Sequence, residues 1–263
     1  MLFLWLVALA DEPIFEAPEE GASVEGVETH LTAELGGALS TGNVDFYVLS
    51  DSLQGDRRWG IHRVSALSGV LIGSTRLDSD GDGILSPAER ENPRVRTAQR
   101  AFLDLRYDRF LGEKNSVYLL SGGFHDPYAG YDWRTHEQVG YSRLLVHSET
   151  TELVSELGLD LAQENYVERV DAGATRLVLS GRVMVGVEHT IGEDLQFSDT
   201  LEVYDSVRDR LDVRVLNTAA VTLRLSELLS LKFNHQLSYD KVPVRGYRPL
   251  DQTVTISVVA TLL

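Results

Sequence analysis

Residues 78–89 read DSDGDGILSPAE, a spacing suited to a hard divalent cation. Asp78, Asp80 and Asp82 offer carboxylates at alternate positions, and Gly83 follows where the chain must turn sharply. The Ile84 carbonyl, Ser86 acting through water, and a bidentate Glu89 complete the oxygen set that Ca²⁺ requires. Leu85 supplies the hydrophobic residue expected at the eighth position. Pro87 and the following ENPRV oppose a long exiting helix but allow a short turn after Ser86, with Pro87 at its first helical position. Without a paired second loop, the site reads as a structural staple for one surface loop. Extracellular affinities of about 10⁻⁴–10⁻³ M would suffice for that role. The competing reading is an acidic, Gly-rich loop in solvent.

A second set of reactive types recurs at every other position. Glu34, Asp104, Arg106, Arg134, Gln138, Glu156, Asp160, Arg176, Arg182, Glu188, Arg214, Arg224, Lys232 and Gln236 share one face of their segments, with aliphatic residues on the other. Both signs are present, so these groups can pair into a plug or line a conduit for a small solute. Histidines could serve an acid–base role. His125 and His136 flank DPYAGYD and could approach each other, but no serine stands at a spacing that would complete a triad. His235 falls in the apolar register of its segment and reads as an interfacial residue. No catalytic residue is assigned, and the expectation is a protein that is not an enzyme.

The elements that carry these residues are strands. In 254–262 Val254, Ile256, Val258, Ala260 and Leu262 alternate with Thr255, Ser257, Val259 and Thr261. In 229–240 Leu229, Leu231, Phe233, Leu237 and Tyr239 oppose Lys232, Asn234 and Gln236. Period two is the signature of a strand with two unlike faces. The runs extend to about ten residues, long enough for a tilted strand to cross a bilayer, and only a closed barrel satisfies every backbone group there. Turn signals divide the chain into about twelve strands: 29–40, 44–55, 59–75, 94–110, 115–125, 132–145, 149–164, 172–189, 194–205, 209–226, 229–240 and 250–263. Tight polar turns at 55–58, 112–115, 147–150, 192–194 and 226–228 alternate with mostly longer connections, including 76–93 and 241–249; Thr41-Gly42-Asn43 is a short exception. Trp59, Tyr107, Phe110, Tyr118, Trp133, Tyr141, Tyr204 and Tyr239 stand near strand ends, where aromatic girdles belong.

Composition narrows the setting. The absence of cysteine removes disulfides and thiolate metal sites. A net charge of -16 argues against broad nucleic-acid binding. Residues 1–10, MLFLWLVALA, end in a small-x-small pattern and read as a signal peptide, and 11–27 as an acidic leader. Residues 28–263 form the barrel, with the calcium-type loop inserted at 76–93.

Three blocks carry a family resemblance: LSTGN at 39–43, FHDPYAGYDWRTHEQVGY at 124–141, and the segment from Leu225 to Leu263 with its Pro-containing loop and final alternating strand. The chain resembles the YdiY-like family of salt-induced outer-membrane proteins, a β-barrel domain of unknown function. The resemblance implies an outer-membrane β-barrel with no assigned biochemical activity. Such barrels commonly end in an aromatic residue, whereas this sequence ends in Leu263, and the calcium-type loop is an addition to the family pattern.

The expectation is an all-β, closed antiparallel transmembrane barrel in a bacterial outer membrane, monomeric and in contact with membrane lipids. Its role is structural or small-solute transport, with a Ca²⁺-stapled extracellular loop. Two other classes stay open: a surface module binding a ligand, lipopolysaccharide or an envelope protein partner, and a lipid hydrolase at the barrel rim.

Overall fold

The computed structural model describes residues 24–40, 45–80, 85–167, 175–209 and 212–263. Twelve strands follow one another: β1 (Val24–Ser40), β2 (Phe46–Gly60), β3 (His62–Thr75), β4 (Val95–Gly112), β5 (Asn115–Asp126), β6 (Tyr131–His147), β7 (Thr151–Tyr166), β8 (Thr175–Ile191), β9 (Leu195–Ser206), β10 (Val213–Arg224), β11 (Leu229–Asp240) and β12 (Leu250–Thr261). Each pairs antiparallel with its sequence neighbours, and β12 returns to β1, closing the barrel. Among the described residues one short helix, α1 (Pro87–Glu91), interrupts the β3–β4 connection. Among the described residues no helix is long and apolar enough to cross a membrane, which says nothing about strands.

The alternation read in the sequence becomes two walls. On β7, Leu157, Leu159 and Leu161 point outward and are 61%, 51% and 40% exposed, while Glu156, Asp160 and Glu164 point inward and are 1%, 2% and 0% exposed. A soluble protein buries its aliphatics and exposes its charges; this one does the reverse, which suits lipid outside and polar contacts inside. Asp51, and Asp199 accepting a 2.7 Å hydrogen bond from Asn217, interrupt the apolar exterior. If the exterior is lipid-facing, Leu159→Arg should destabilise the barrel by about 2–4 kcal/mol in urea unfolding from lipid vesicles. A neutral or stabilising change would contradict that orientation.

Connections alternate in length as expected. The β4–β5, β6–β7, β8–β9 and β10–β11 links are tight and share one end with the start of β1 and the end of β12. The β3–β4 and β11–β12 links are long and lie at the other end. These are called the turn end and the loop end below. The turn between β2 and β3 differs from the expected 55–58: β2 continues to Gly60, and the chain reverses at Gly60 and Ile61, where Gly60 takes φ 50°. Asp56 and Arg58 keep the strand alternation because both point inward, Asp56 toward His30 and the Arg58 guanidinium over the Phe110 ring at 4.6 Å. The first strand also begins earlier than expected, at Val24. Residues 1–10, most of the leader and the turn at 41–43 lie outside the described residues.

Candidate functional site: the charged lumen and its loop-end chamber

The inward face of a narrow barrel has little room, so charged side chains meet across it. The register places Tyr118 opposite Gly140, Gly140 opposite Gly158, Gly158 opposite Arg182, and Arg182 opposite Tyr204. The two glycines leave the inner wall bare where the Tyr118 ring lies. A Cβ added to Gly140 would stand 2.5 Å from the Tyr118 oxygen, and one added to Gly158 would stand 2.7 Å from it. Tyr118 can therefore cross two strands and accept a 2.8 Å hydrogen bond from Arg182.

Around this ring runs a chain of alternating charge. Arg106 donates to Glu156 at 2.7 Å and to Asp108 at 2.8 and 2.9 Å. Arg182 donates to the other Glu156 oxygen at 2.7 Å and to Glu202 at 2.7 Å. Tyr204 donates to Glu202 at 2.7 Å, and Arg63 reaches Asp108 at 3.3 Å. The Arg106 guanidinium also lies over the Tyr118 ring, 4.3 Å from its centre. All the charged members are buried. Buried charges persist only when paired and hydrogen-bonded, and here each carboxylate meets at least one guanidinium. The belt runs along the inner wall from Arg63 on β3 to Glu202 and Tyr204 on β9.

Toward the loop end a second group forms. Glu164 accepts from Arg214 at 2.6 Å, Arg134 at 3.3 Å and Tyr166 at 2.7 Å, while Arg176 binds Asp212 at 2.6 Å. Between this group and the belt lies a chamber of ≈ 200 Å³. Its lining includes Arg106, Arg182, Glu202 and Tyr204 of the belt, and Asp104, His136, Gln138, Asp240 and Asp251 on the walls. The 241–249 connection folds over it: Val244 is buried, and Tyr247 donates to the Pro127 carbonyl at 3.4 Å. Toward the turn end Lys232 meets Glu34 at 3.3 Å, and Ser257 also donates to Glu34.

Most residues expected inside are inside. Arg224 is the exception: it is exposed at the turn end and pairs with Asp194 at 3.1 Å. Three aromatics expected in the girdles, Phe110, Tyr118 and Tyr204, instead point into the lumen, because each shares its strand face with inward polar residues. Trp59, Trp133 and Tyr141 are exposed on the outer surface. His125 and His136 do not converge. His136 points inward, 2.9 Å from Asp104, and His125 lies on the outer face against Trp133. His235 faces outward and meets Gln252 at 3.4 Å.

The calcium-type loop sits at the loop end on a clamped stalk, where Asp45 binds both Arg76 at 3.2 Å and Arg94 at 2.5 Å. Asp78, Asp80 and Glu89 each bring a carboxylate oxygen within 4.8 Å of the others. Asp82 and Ile84 lie outside the described residues. Ser86 caps α1 in a capping box: its hydroxyl accepts from the Glu89 N–H, and Glu89 accepts from the Ser86 N–H at 2.9 Å. Glu89 also accepts from the Ser79 N–H at 2.6 Å, which ties the start of the loop to its end. These bonds, first from the Ser86 and Ser79 amides and then from the Ser86 hydroxyl, hold the Glu89 carboxyl below its ordinary range.

A closed antiparallel barrel with an apolar exterior and a charged interior is the fold of a transmembrane β-barrel. The chain belongs to the family described as "Protein of unknown function, DUF481", whose model matches residues 33–262. No curated protein matches the chain. Among solved structures it is similar to the NanC porin, with 12% identity and a TM-score of 0.54 over 89% of this chain and 100% of that one. It also matches an outer membrane channel from Pseudomonas putida F1, with 13% identity and a TM-score of 0.47 over 96% of this chain and 100% of that one. At 12% identity the likeness to the porin shows the fold alone.

Proposed function

We propose that the protein is an outer-membrane barrel that admits small polar solutes into its loop-end chamber and limits their passage with the Arg106–Glu156–Arg182 belt. The observation that carries this reading is the chamber of ≈ 200 Å³, lined by both charge signs and floored by paired charges. The solved porin and channel are consistent with a transport role, and the filled belt with a slow one. The three sequence blocks at 39–43, 124–141 and 225–263 support a place in the YdiY-like branch of the family. Liposome swelling tests the proposal: vesicles carrying the protein should swell slowly in small polar solutes and faster with Glu156→Gln. Equal rates for the two proteins would overturn it.

The loop at 78–89 is proposed as a Ca²⁺ staple. The three converging carboxylates fit a hard cation, and the spacing adds Asp82 and the Ile84 carbonyl. Ca²⁺ would neutralise the acidic cluster and hold the loop over its stalk. Calorimetry on the purified barrel should show heat with millimolar Ca²⁺ that is lost in Asp78→Ala/Asp82→Ala; no heat, or heat that survives the substitutions, defeats the idea. The lowered Glu89 pKa gives the sign of the pH dependence. Its contribution to loop order is present above the ordinary value of 4.5 and is lost as pH falls through the lower folded value. Hydrogen exchange across 78–91 should therefore accelerate as the solution is acidified below that range.

A further inference from the structure

On the outer wall near the turn end, Arg57 of β2 and Arg109 of β4 are exposed. Neither guanidinium has a hydrogen-bond or ion-pair partner among the described residues. A chain of net charge -16 thus leaves two cations here without a counter-ion. The register puts them in adjoining rows. Trp59 stands opposite His62 and His62 opposite Arg109; Arg57 stands opposite Val64 and Val64 opposite Tyr107. No acidic side chain stands in either row. Three rings share these rows with the arginines and form a tray. His62 stacks on Trp59 at 5.8 Å and on Tyr107 at 5.9 Å, and His62 Nδ1 shares a 2.7 Å hydrogen bond with the Tyr107 hydroxyl.

Toward the loop end the same outer face is uncharged and uneven. Gly55, Ala66 and Leu105 make the next row, and Leu53, Ser68 and Leu103 the one after. The β3 residues Ala66 and Ser68 are small, whereas Leu53 on β2 and Leu103 and Leu105 on β4 stand exposed. Side chains opposite one another on neighbouring strands project side by side. The small pair therefore lies in a shallow trough between leucines, and the trough leads away from the arginines.

From this juxtaposition we propose that the outer face of β2–β4 at the turn end seats one anionic glycerophospholipid. Its phosphate is held by Arg57 and Arg109, its glycerol and ester region lies on the ring tray, and one acyl chain follows the trough over Ala66 and Ser68. Guanidinium groups bind phosphate through paired N–H donors. Aromatic rings settle at the headgroup level of a membrane, and basic clusters there attract anionic lipids. A zwitterionic headgroup brings its own cation, so it gains less from two arginines that lack a counter-ion. The seat rests on the reading that the exterior lies in lipid, and it is separate from the chamber and the belt.

Native mass spectrometry of the full barrel in detergent tests the seat, with phosphatidylglycerol and phosphatidylcholine of the same chains as probes. Wild type should retain one phosphatidylglycerol saturably and phosphatidylcholine several-fold more weakly. Arg57→Gln/Arg109→Gln should weaken phosphatidylglycerol binding by roughly tenfold or more. Lys114→Gln/Arg143→Gln removes the same charge from exposed positions outside the two rows and should leave binding unchanged. Ala66→Leu fills the trough without changing charge and should weaken binding several-fold, with heat-modifiable gel migration showing that each variant still folds. Equal retention of the two lipids by wild type, equal losses in the two double variants, unchanged binding in Ala66→Leu, or uptake that never saturates overturns the seat. Such a failure leaves the chamber and belt reading standing.

Discussion

Replacing Glu156 by alanine should destabilise the barrel by about 3–5 kcal/mol, the range for removing one partner of a buried ion pair. Glu156 is 1% exposed, and its two oxygens hold Arg106 and Arg182, each at 2.7 Å. Without it the two guanidinium groups face each other inside the belt. Asp108 still pairs with Arg106, and Glu202 with Arg182, so the inner wall keeps its outer links and loses the central one. The isosteric Glu156→Gln keeps the volume and one hydrogen-bond acceptor, so it should be less destabilising while still adding a net positive charge to the lumen. Urea unfolding followed by heat-modifiable gel migration reads the stability. Reversal potential under a salt gradient should shift toward anions in the glutamine variant. Unchanged stability in the alanine variant would mean that the belt is not a coupled unit.

The second large effect falls on a glycine. Gly140→Ala places a methyl 2.5 Å from the Tyr118 oxygen and 2.6 Å from its ring. Tyr118 is 1% exposed and held by Arg182 and by the Arg106 guanidinium over its face, so it has little room to withdraw. Overpacking of this kind should destabilise by about 1–3 kcal/mol. In a Tyr118→Ala background the three nearest contacts of that methyl are gone, and its effect should shrink. A double-mutant cycle in urea measures the difference, and an interaction below about 0.5 kcal/mol would separate the glycine from the tyrosine.

Much of the barrel was legible in the sequence because side chains alternate with period two and a one-residue slip would turn aliphatics inward. Leu177, Val183 and Val185 against Arg176 and Arg182 sufficed to orient β8. The β2–β3 turn was misplaced because GDRR has turn-like composition, yet Asp56 and Arg58 keep strand parity to reach His30 and Phe110. Parity could also have moved Tyr118 and Tyr204 inside, since Tyr118 follows Ser116 and Tyr204 follows Glu202 on the same face. The belt itself was not legible. Glu156 on β7 meets Arg106 on β4 and Arg182 on β8, and the β4 contact depends on how the barrel curves its strands together. The loop at 78–89 was the reverse case: its spacing was plain, Asp78, Asp80 and Glu89 bring carboxylate oxygens within 4.8 Å of one another, and Asp82 and Ile84 lie outside the described residues.

The central proposal is that the Tyr118–Arg106–Glu156–Arg182 belt limits passage through the lumen of a membrane-spanning barrel. Single-channel recording in planar bilayers tests it most directly, comparing wild type with Tyr118→Ala at the same protein density. The wild-type barrel should insert with small or no conductance steps, and the variant, lacking the ring that spans Gly140 and Gly158, should give steps several-fold larger. Large wild-type steps that Tyr118→Ala leaves unchanged would contradict the claim and place the ion path elsewhere in the barrel.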